Sequence, residues 1–266
     1  MTVRLTHVGG PTLLVEVDGW RLLTDPTFDA PGRRYGFGWG TAANKTTAPA
    51  VAADALGRVD AVLLSHHGHA DNLDDAGRAY LPSVPAVVTT PAAARALALP
   101  GARGLTAWET TTLVRTDEAG VEHRLEVTAT PSRHGPPGTV PIVGASTGFA
   151  VRVPGEPRHA VWVTGDSVLY GGLREAAERL EVDVLVLHLG AVRFGITGPM
   201  RFTMNASEGV ELVGRTRPRA AAFVHTEGWS HFTQGPDEAA RVVAAAPADV
   251  RDLFRPLTLG EPVDVA

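Results

Sequence analysis

Ala61-Val-Leu-Leu-Ser-His-His-Gly-His-Ala-Asp-Asn-Leu-Asp-Asp75 is the stretch on which the reading of this chain turns. Its first four residues form a short apolar run, the pattern of a buried strand. His66, His67, His69, Asp71 and Asn72 follow at once. Three imidazoles and a carboxylate packed together at a strand end make a metal-ligand cluster, because imidazole nitrogen and carboxylate oxygen are the donors Zn²⁺ takes in hydrolytic sites. Alternate residues of an extended segment point the same way, so His67, His69 and Asp71 can face one point. His66 replaces His67 as first ligand if the turn carries an extra residue. A lone His after a strand is usually a surface loop residue; three of them beside an Asp, in a chain with ten His, point to metal.

Working outward, four further polar residues each sit just after an expected strand. They are His134 (after 124–130), Asp166 (after 159–164), His188 (after 182–187) and His225 (after 220–224). Strand-end loops gather on one edge of a sheet assembly, where functional residues concentrate. The His cluster, His134, Asp166 and His225 can therefore meet in space. An Asp between His-rich halves can bridge two metals ~3.5–4 Å apart, which clamp an attacking water and a leaving oxygen. His188 reads as a pocket-lining or core histidine.

The remaining chain expects strands at 3–7, 12–17 and 20–23, with Asp18-Gly19 as a hairpin turn. Residues 28–50, with Tyr35, Phe37 and Trp39 among glycines, read as an irregular loop whose aromatics either fold onto the core or form a substrate flap. A helix at 73–80, a strand at 84–89, and a helix capped by Thr90 with Pro91 at its first position come next. Strands near 104–107 and 110–115, a Pro/Gly stretch at 135–146 and a strand at 147–153 follow. Helices at 172–180, from Asn205-x-x-Glu208 to about 215, and at 236–245 alternate with strands. A Gly/Pro loop at 190–204 carries Arg193, Phe194, Arg201 and Phe202. This order suits an α/β fold of two mixed sheets packed face to face with helices outside, as a single domain over residues 1–266.

Composition narrows the function classes. Hydrophobic residues are 44%, charged residues 20% and net charge −5, an ordinary globular balance. Without a basic run, nucleic acid is not an expected partner. Lys45 is the only lysine, so the positive charge is nearly all Arg, which reads as compositional bias. With no cysteine, a metal must take N and O ligands. No apolar stretch is long enough to span a bilayer, and no secretory signal pattern opens the sequence, so a cytoplasmic location is expected. Oligomeric state is left open.

The residues together resemble the metallo-β-lactamase-fold hydrolases, most closely the branch of L-ascorbate-6-phosphate lactonase and N-acyl-phosphatidylethanolamine phospholipase D. The family signature H-x-H-x-D-H, a later His, a Gly-Asp and a last His has its counterpart in His67-Gly-His69-Ala-Asp71-Asn72, His134, Gly165-Asp166 and His225. The opening Leu5-Thr-His-Val-Gly-Gly10 and Leu22-Leu-Thr-Asp-Pro26 are similar to the same branch. Asn72 stands where the signature has its last His, and Gly10 where the branch has an early His. The resemblance implies a four-layer αββα sandwich. It implies one metal on His66 or His67 with His69 and His134, and a second on Asp71, Asp166 and His225. Zn²⁺ is the expected ion, with Mn²⁺ or Fe compatible with N/O donors. It further implies hydrolysis of an ester, lactone or phosphodiester small molecule, with Asp71, if only one metal binds, orienting or deprotonating the water instead of holding a cation, and with Asp25 supporting the site from beneath.

Other residues complete the reading. His231 can donate a proton to the leaving group. Trp39, His188 and Arg193 are substrate-pocket candidates, and Arg133 and Arg201 are alternative anion grips. Two rival readings remain. Gly144-Ala-Ser146-Thr-Gly148 formally matches the serine-hydrolase elbow, which needs a strand before it and a helix after it, whereas 149–153 reads as a strand. A non-catalytic metal- or ligand-binding protein on the same fold is the other.

Overall fold

The structure, a computed structural model, describes residues 2–266. Its first sheet begins as an antiparallel meander of β1 (Val3–Gly9), β2 (Thr12–Val17) and β3 (Trp20–Thr24). The β2–β3 turn is Asp18-Gly19, with φ 47° and 73°, and Val17 pairs with Trp20 across it. Two consecutive positive φ values match the twist of a two-residue hairpin, which is why Asp-Gly sits there. A separate hairpin, β4 (Arg34–Gly38) and β5 (Thr41–Asn44), follows. Then β6 (Ala61–Leu63), β7 (Val87–Thr89) and β8 (Ala102–Gly104) add to β3 in parallel.

The second sheet runs β9 (Thr110–Thr116), β10 (Glu122–Thr130), β11 (Gly148–Arg152) and β12 (His159–Val163), all antiparallel neighbours. To these β13 (Val182–His188) and β14 (Ala220–Val224) add in parallel. Finally β15 (Pro262–Asp264) returns to the edge of the first sheet against β1. The orders are β15-β1-β2-β3-β6-β7-β8 and β14-β13-β12-β11-β10-β9.

The helices are α1 (Asp75–Tyr80), α2 (Pro91–Leu97), α3 (Val140–Val143), α4 (Gly171–Arg179), α5 (Ala206–Thr216), α6 (Pro236–Ala244) and α7 (Ala248–Arg251). Thr90 caps α2 by accepting the Ala93 N–H, and Asn205 and Glu208 form the expected capping box on α5. Among the described residues no helix is long and apolar enough to cross a membrane.

Side-chain alternation explains the layering. Leu5, Leu13, Val15, Leu22 and Leu63 of the first sheet meet Leu125, Val127, Phe149, Val161, Val184 and Val186 of the second. The alternate residues Leu185 and Leu187 of β13 point outward, into a cluster with Leu173 of α4 and Leu212 and Val213 of α5. β13 is covered on both faces and all seven of its residues are buried, with polar side chains only near its ends, at Asp183 and His188. Leu14, Leu23, Val62 and Leu64 form the corresponding outer cluster with Leu73, Leu81 and Leu97 around α1 and α2. The result is the expected four-layer αββα sandwich.

Local expectations need correction in three places. The 28–50 segment is not irregular throughout: alternating Tyr35 and Phe37 bury one face of β4 against Trp229 and give it strand periodicity. The strand expected at 84–89 starts only at Val87, because Leu81–Ser83 closes as a 3₁₀ turn. The 104–107 strand instead lies at Ala102–Gly104.

Candidate metal centre

The C-terminal ends of β6, β10, β12 and β14 open onto one edge of the sandwich, and each delivers a donor. His66 Nε2 lies 3.0 Å from His69 Nδ1, which lies 3.1 Å from His134 Nε2. These three nitrogens form one compact group; Asp71, Asp166 and His225 form a second. The structure thus brings together His66, not His67, with His69 and His134. Beyond Leu64 the chain leaves the extended form and turns, with the Asn72 and Leu73 N–H groups both donating to the His69 carbonyl. His66 and His69 therefore share a side, while His67 turns away and its carbonyl accepts a bond from Arg78. The strict H-x-H spacing expected from alternation does not hold here.

Neighbouring groups aim the donors. His134 Nδ1 donates to the Phe202 carbonyl (2.9 Å) and His225 Nδ1 to the Leu189 carbonyl (3.1 Å). A carbonyl only accepts, so Nδ1 carries a proton in both rings and Nε2, facing the cluster, is the atom a metal would take. His66 Nδ1 contacts Ser65 Oγ (3.0 Å), which in turn accepts from Asn72 Nδ2 (3.2 Å). Asn72 is fully buried and belongs to neither donor group. Asp25 accepts the Ser65 N–H (2.7 Å) from beneath. His225 adopts φ 64°, rare for a residue with a Cβ, and its N–H donates to the Gly10 carbonyl. Gly165, at φ 59°, precedes Asp166; a Cβ there would lie 2.3 Å from the Thr147 oxygen, so only glycine lets β12 end where it does.

A resident cation fits these groups. Asp71 Oδ1, Asp166 Oδ2 and His225 Nε2 are buried without hydrogen-bond partners. Such atoms are rare unless an ion or water satisfies them. Burial, with His69 and His134 nearby, holds His66 well below the ordinary histidine range; burial and His134 bring His69 to about 4. Both rings are neutral at pH 7, the form that binds metal. In the other group burial opposes charge, but the charges outweigh it. His231 and His225 hold Asp71 well below the carboxylate range, His225 and the His188 hydrogen bond do the same for Asp166, and the two carboxylates push His225 up to about 9. Burial and the facing Asp166 raise Asp25 well above its ordinary range.

Above the donors lies a cavity of ≈ 120 Å³, walled by Phe37 and Trp39 of the hairpin, by Thr139, Ile142 and Val143, and by Val192, Phe194 and Phe202; His69, Asp71, His134 and His231 form its floor. The Phe37 ring meets His69 edge-on at 5.3 Å. His231 lies flat on Phe194 at 5.1 Å, with Nε2 2.9 Å from Asp71 Oδ2 and Nδ1 buried without a partner. The hairpin is tied down through Lys45, whose ammonium is 2.7 Å from Asp74; the exposures are 3% and 0%. The lone lysine is thus a buried structural ion, and the compositional reading missed it.

Other candidates lie elsewhere. His188 is beneath the cavity, stacked on His225 at 5.5 Å with Nδ1 3.0 Å from Asp166 Oδ1, and does not line the cavity. Arg193 lines a neighbouring depression that shares Phe194 and His231 with the cavity, Arg201 pairs with Glu208, and Arg133 stacks on Tyr170. Ser146 donates to the Asp166 carbonyl and is followed by β11, so the strand–elbow–helix context of a nucleophilic serine is absent. Ile142 and Val143 of the short α3, and Val192 and Met200 of the 190–204 loop, went unnoticed in the sequence; divided between two distant segments, they follow no shared periodicity.

A beta-lactamase superfamily domain matches residues 20–226. The chain belongs to the beta-lactamase superfamily. Among solved structures of this superfamily fold, isothiocyanate hydrolase from Delia radicum gut bacteria is 20% identical with TM-score 0.77, covering 98% of both chains. A protein from Veillonella parvula described as a possible metal-dependent hydrolase is 16% identical with TM-score 0.80, covering 99% of both. CmlA, a diiron β-hydroxylase from Streptomyces venezuelae, is 16% identical with TM-score 0.64, over 99% of this chain and 54% of its own. At such identities the likeness concerns the fold. No curated protein matches.

Proposed function

We propose that this chain is a metal-dependent hydrolase of a small molecule, acting as one domain over residues 1–266. The observation that carries the reading is the pair of donor groups, His66/His69/His134 and Asp71/Asp166/His225, gathered beneath one cavity, the second with a buried, unpartnered atom on each of its three residues. The all-histidine group suits Zn²⁺, while the carboxylate-containing group also suits Mn²⁺ or Fe. Cations held there supply a nucleophile at neutral pH and polarise the scissile bond. The protein supplies the rest. Asp71 orients the attacking water and, through its 2.9 Å contact with Nε2, fixes the His231 ring with Nδ1 free. His231 Nδ1 is the free atom that gives a proton to the leaving group. The apolar walls keep bulk water out.

Esters, lactones and phosphodiesters are the substrate classes to try, and the isothiocyanate hydrolase of similar fold adds a heterocumulene. The Leu5–Gly10 and Leu22–Pro26 segments support a place near the L-ascorbate-6-phosphate lactonase-like branch. A cytoplasmic setting is part of the reading, in keeping with a chain that has no cysteine. The test is metal per chain, then turnover of each class with and without chelator. Chelator-sensitive turnover is expected; tightly bound metal with no turnover of any class would favour a binding protein.

A further inference from the structure

The wall above the donors is almost wholly hydrocarbon. Phe37, Ile142, Phe194 and Phe202 face the cavity with only the hydroxyls of Thr41, Thr139 and Thr197 interrupting the wall, and among the described residues no Lys or Arg does. Of the nearby cations, Arg201 pairs with Glu208 at 2.7 Å, Lys45 with Asp74 at 2.7 Å, and Arg133 lies over the Tyr170 ring at 4.4 Å, while Arg34 and Arg193 line the neighbouring depression on the other side of Phe194 and His231 and not the cavity itself. The rim continues the same chemistry, since Trp39, Ile142 and Met200 line the cavity yet are 74%, 45% and 40% exposed. Large exposed apolar groups gathered at one opening mark a binding site. A carboxylate or phosphate on the far side of the substrate would be buried here without a partner, which is strongly unfavourable.

We infer that the substrate is an uncharged small molecule with an apolar arm, seated between the β4–β5 hairpin and the 190–204 loop, and that anionic, phosphate-bearing compounds are excluded. This rests on the hydrolase reading and narrows its substrate classes to neutral ones. The size is set by the cavity: ≈ 120 Å³ is close to the about 150 Å³ void that accepts benzene in a Leu/Ile/Phe-lined core. An arm of about six carbons fills it. For a methyl ester, the water oxygen joins the acyl carbon and gives one of its protons to the Asp71–His231 pair, the ester C–O bond breaks, and the departing oxygen takes a proton from His231 to leave as methanol, which returns the pair to its starting state. The acid product loses its own proton to solvent.

The experiment uses the metal-loaded full chain and methyl esters from propanoate to hexanoate, with monomethyl adipate as the charged counterpart of hexanoate. Each buried methylene should raise kcat/KM about fourfold, and the adipate half-ester should fall at least about a hundredfold below hexanoate. Ile142→Arg, at a half-exposed rim position, should narrow that gap at least tenfold with metal content unchanged. In parallel, binding of 1-hexanol against 1-propanol is read by tryptophan fluorescence, with about sixtyfold tighter binding expected for the longer alcohol. A half-ester cleaved as well as hexanoate, or no dependence on arm length in either assay, overturns the inference. Length-dependent alcohol binding without turnover keeps the apolar arm and removes esters from the hydrolase reading.

Discussion

Lys45→Met tests whether the hairpin is held by a buried ion pair. Methionine keeps the length and apolar stem of the lysine and removes only the charge. The Asp74 carboxylate then loses its countercharge but keeps three backbone donors, Phe28 at 2.9 Å, Asp29 at 2.7 Å and Gly77 at 2.8 Å. Breaking a buried pair typically destabilises by about 3–5 kcal/mol. Those three bonds continue to solvate the anion, so the lower end, about 3 kcal/mol, is expected. For a chain of this size that corresponds to a fall of about 6–12 °C in Tm. Asp74→Asn should be worse. It leaves the buried ammonium without its adjoining countercharge, beside the Trp229 face at 5.7 Å, and it weakens the cap of α1. Arg217→Ala, which breaks the exposed Arg217–Asp249 pair, serves as control and should change stability by under about 1 kcal/mol. Urea denaturation with an unchanged m-value measures all three. A Lys45→Met protein within about 1 kcal/mol of wild type would refute the argument that this pair fastens the hairpin.

Further expectations concern the donors. His69→Ala and His134→Ala should each lower bound metal and abolish hydrolysis while the circular dichroism spectrum persists; wild-type metal content in both would mean the centre is misplaced. Asn72→Ala frees Ser65 Oγ and loosens His66, so metal affinity measured by chelator competition should fall about 10–100-fold, and an unchanged affinity would sink this role. In metal-free protein, His225 sits at about 9, above the ordinary ~6.5, so its contribution to stability is complete below about 6.5 and lost as pH rises through about 9. His69, at about 4, contributes the opposite way, fully above about 6.5 and less as pH falls towards 4. Tm of the chelated protein should therefore drop on both sides of about pH 6.5, and an alkaline fall that survives His225→Gln would contradict the assignment. Adding Zn²⁺ back should raise Tm with concentration, as ligand binding to the folded state alone requires; no shift would argue against a preformed site.

Much of this was legible in the chain, for identifiable reasons. Period-two alternation in 3–17, the Asp18-Gly19 turn and the Asn205–Glu208 box are local signals, and the sheets and α5 follow them. The strand-end positions of His134, Asp166 and His225 were readable because β12 and β14 are apolar runs and β10 alternates, with Leu125, Val127 and Ala129 inward, so that each marks its own end. The choice between His66 and His67 was not. Alternation holds only while the backbone stays extended, and the bonds closing on the His69 carbonyl lie beyond that limit. The cavity wall was equally hidden. Phe37, Ile142 and Phe194 come from three segments far apart in sequence, and nothing in any one of them announces the others. Lys45 was passed over because a single residue has no pattern; its meaning lies in Asp74, 29 positions on.

The fastening of the hairpin by Lys45 has a practical corollary. The only side-chain amine in these 266 residues is sealed beneath Trp229 in the native state. An acylating dye can reach that nitrogen only when the segment carrying it peels away from the body of the molecule. The rate of its modification would then serve as a clock for that opening, read at one atom against a background free of competing lysines.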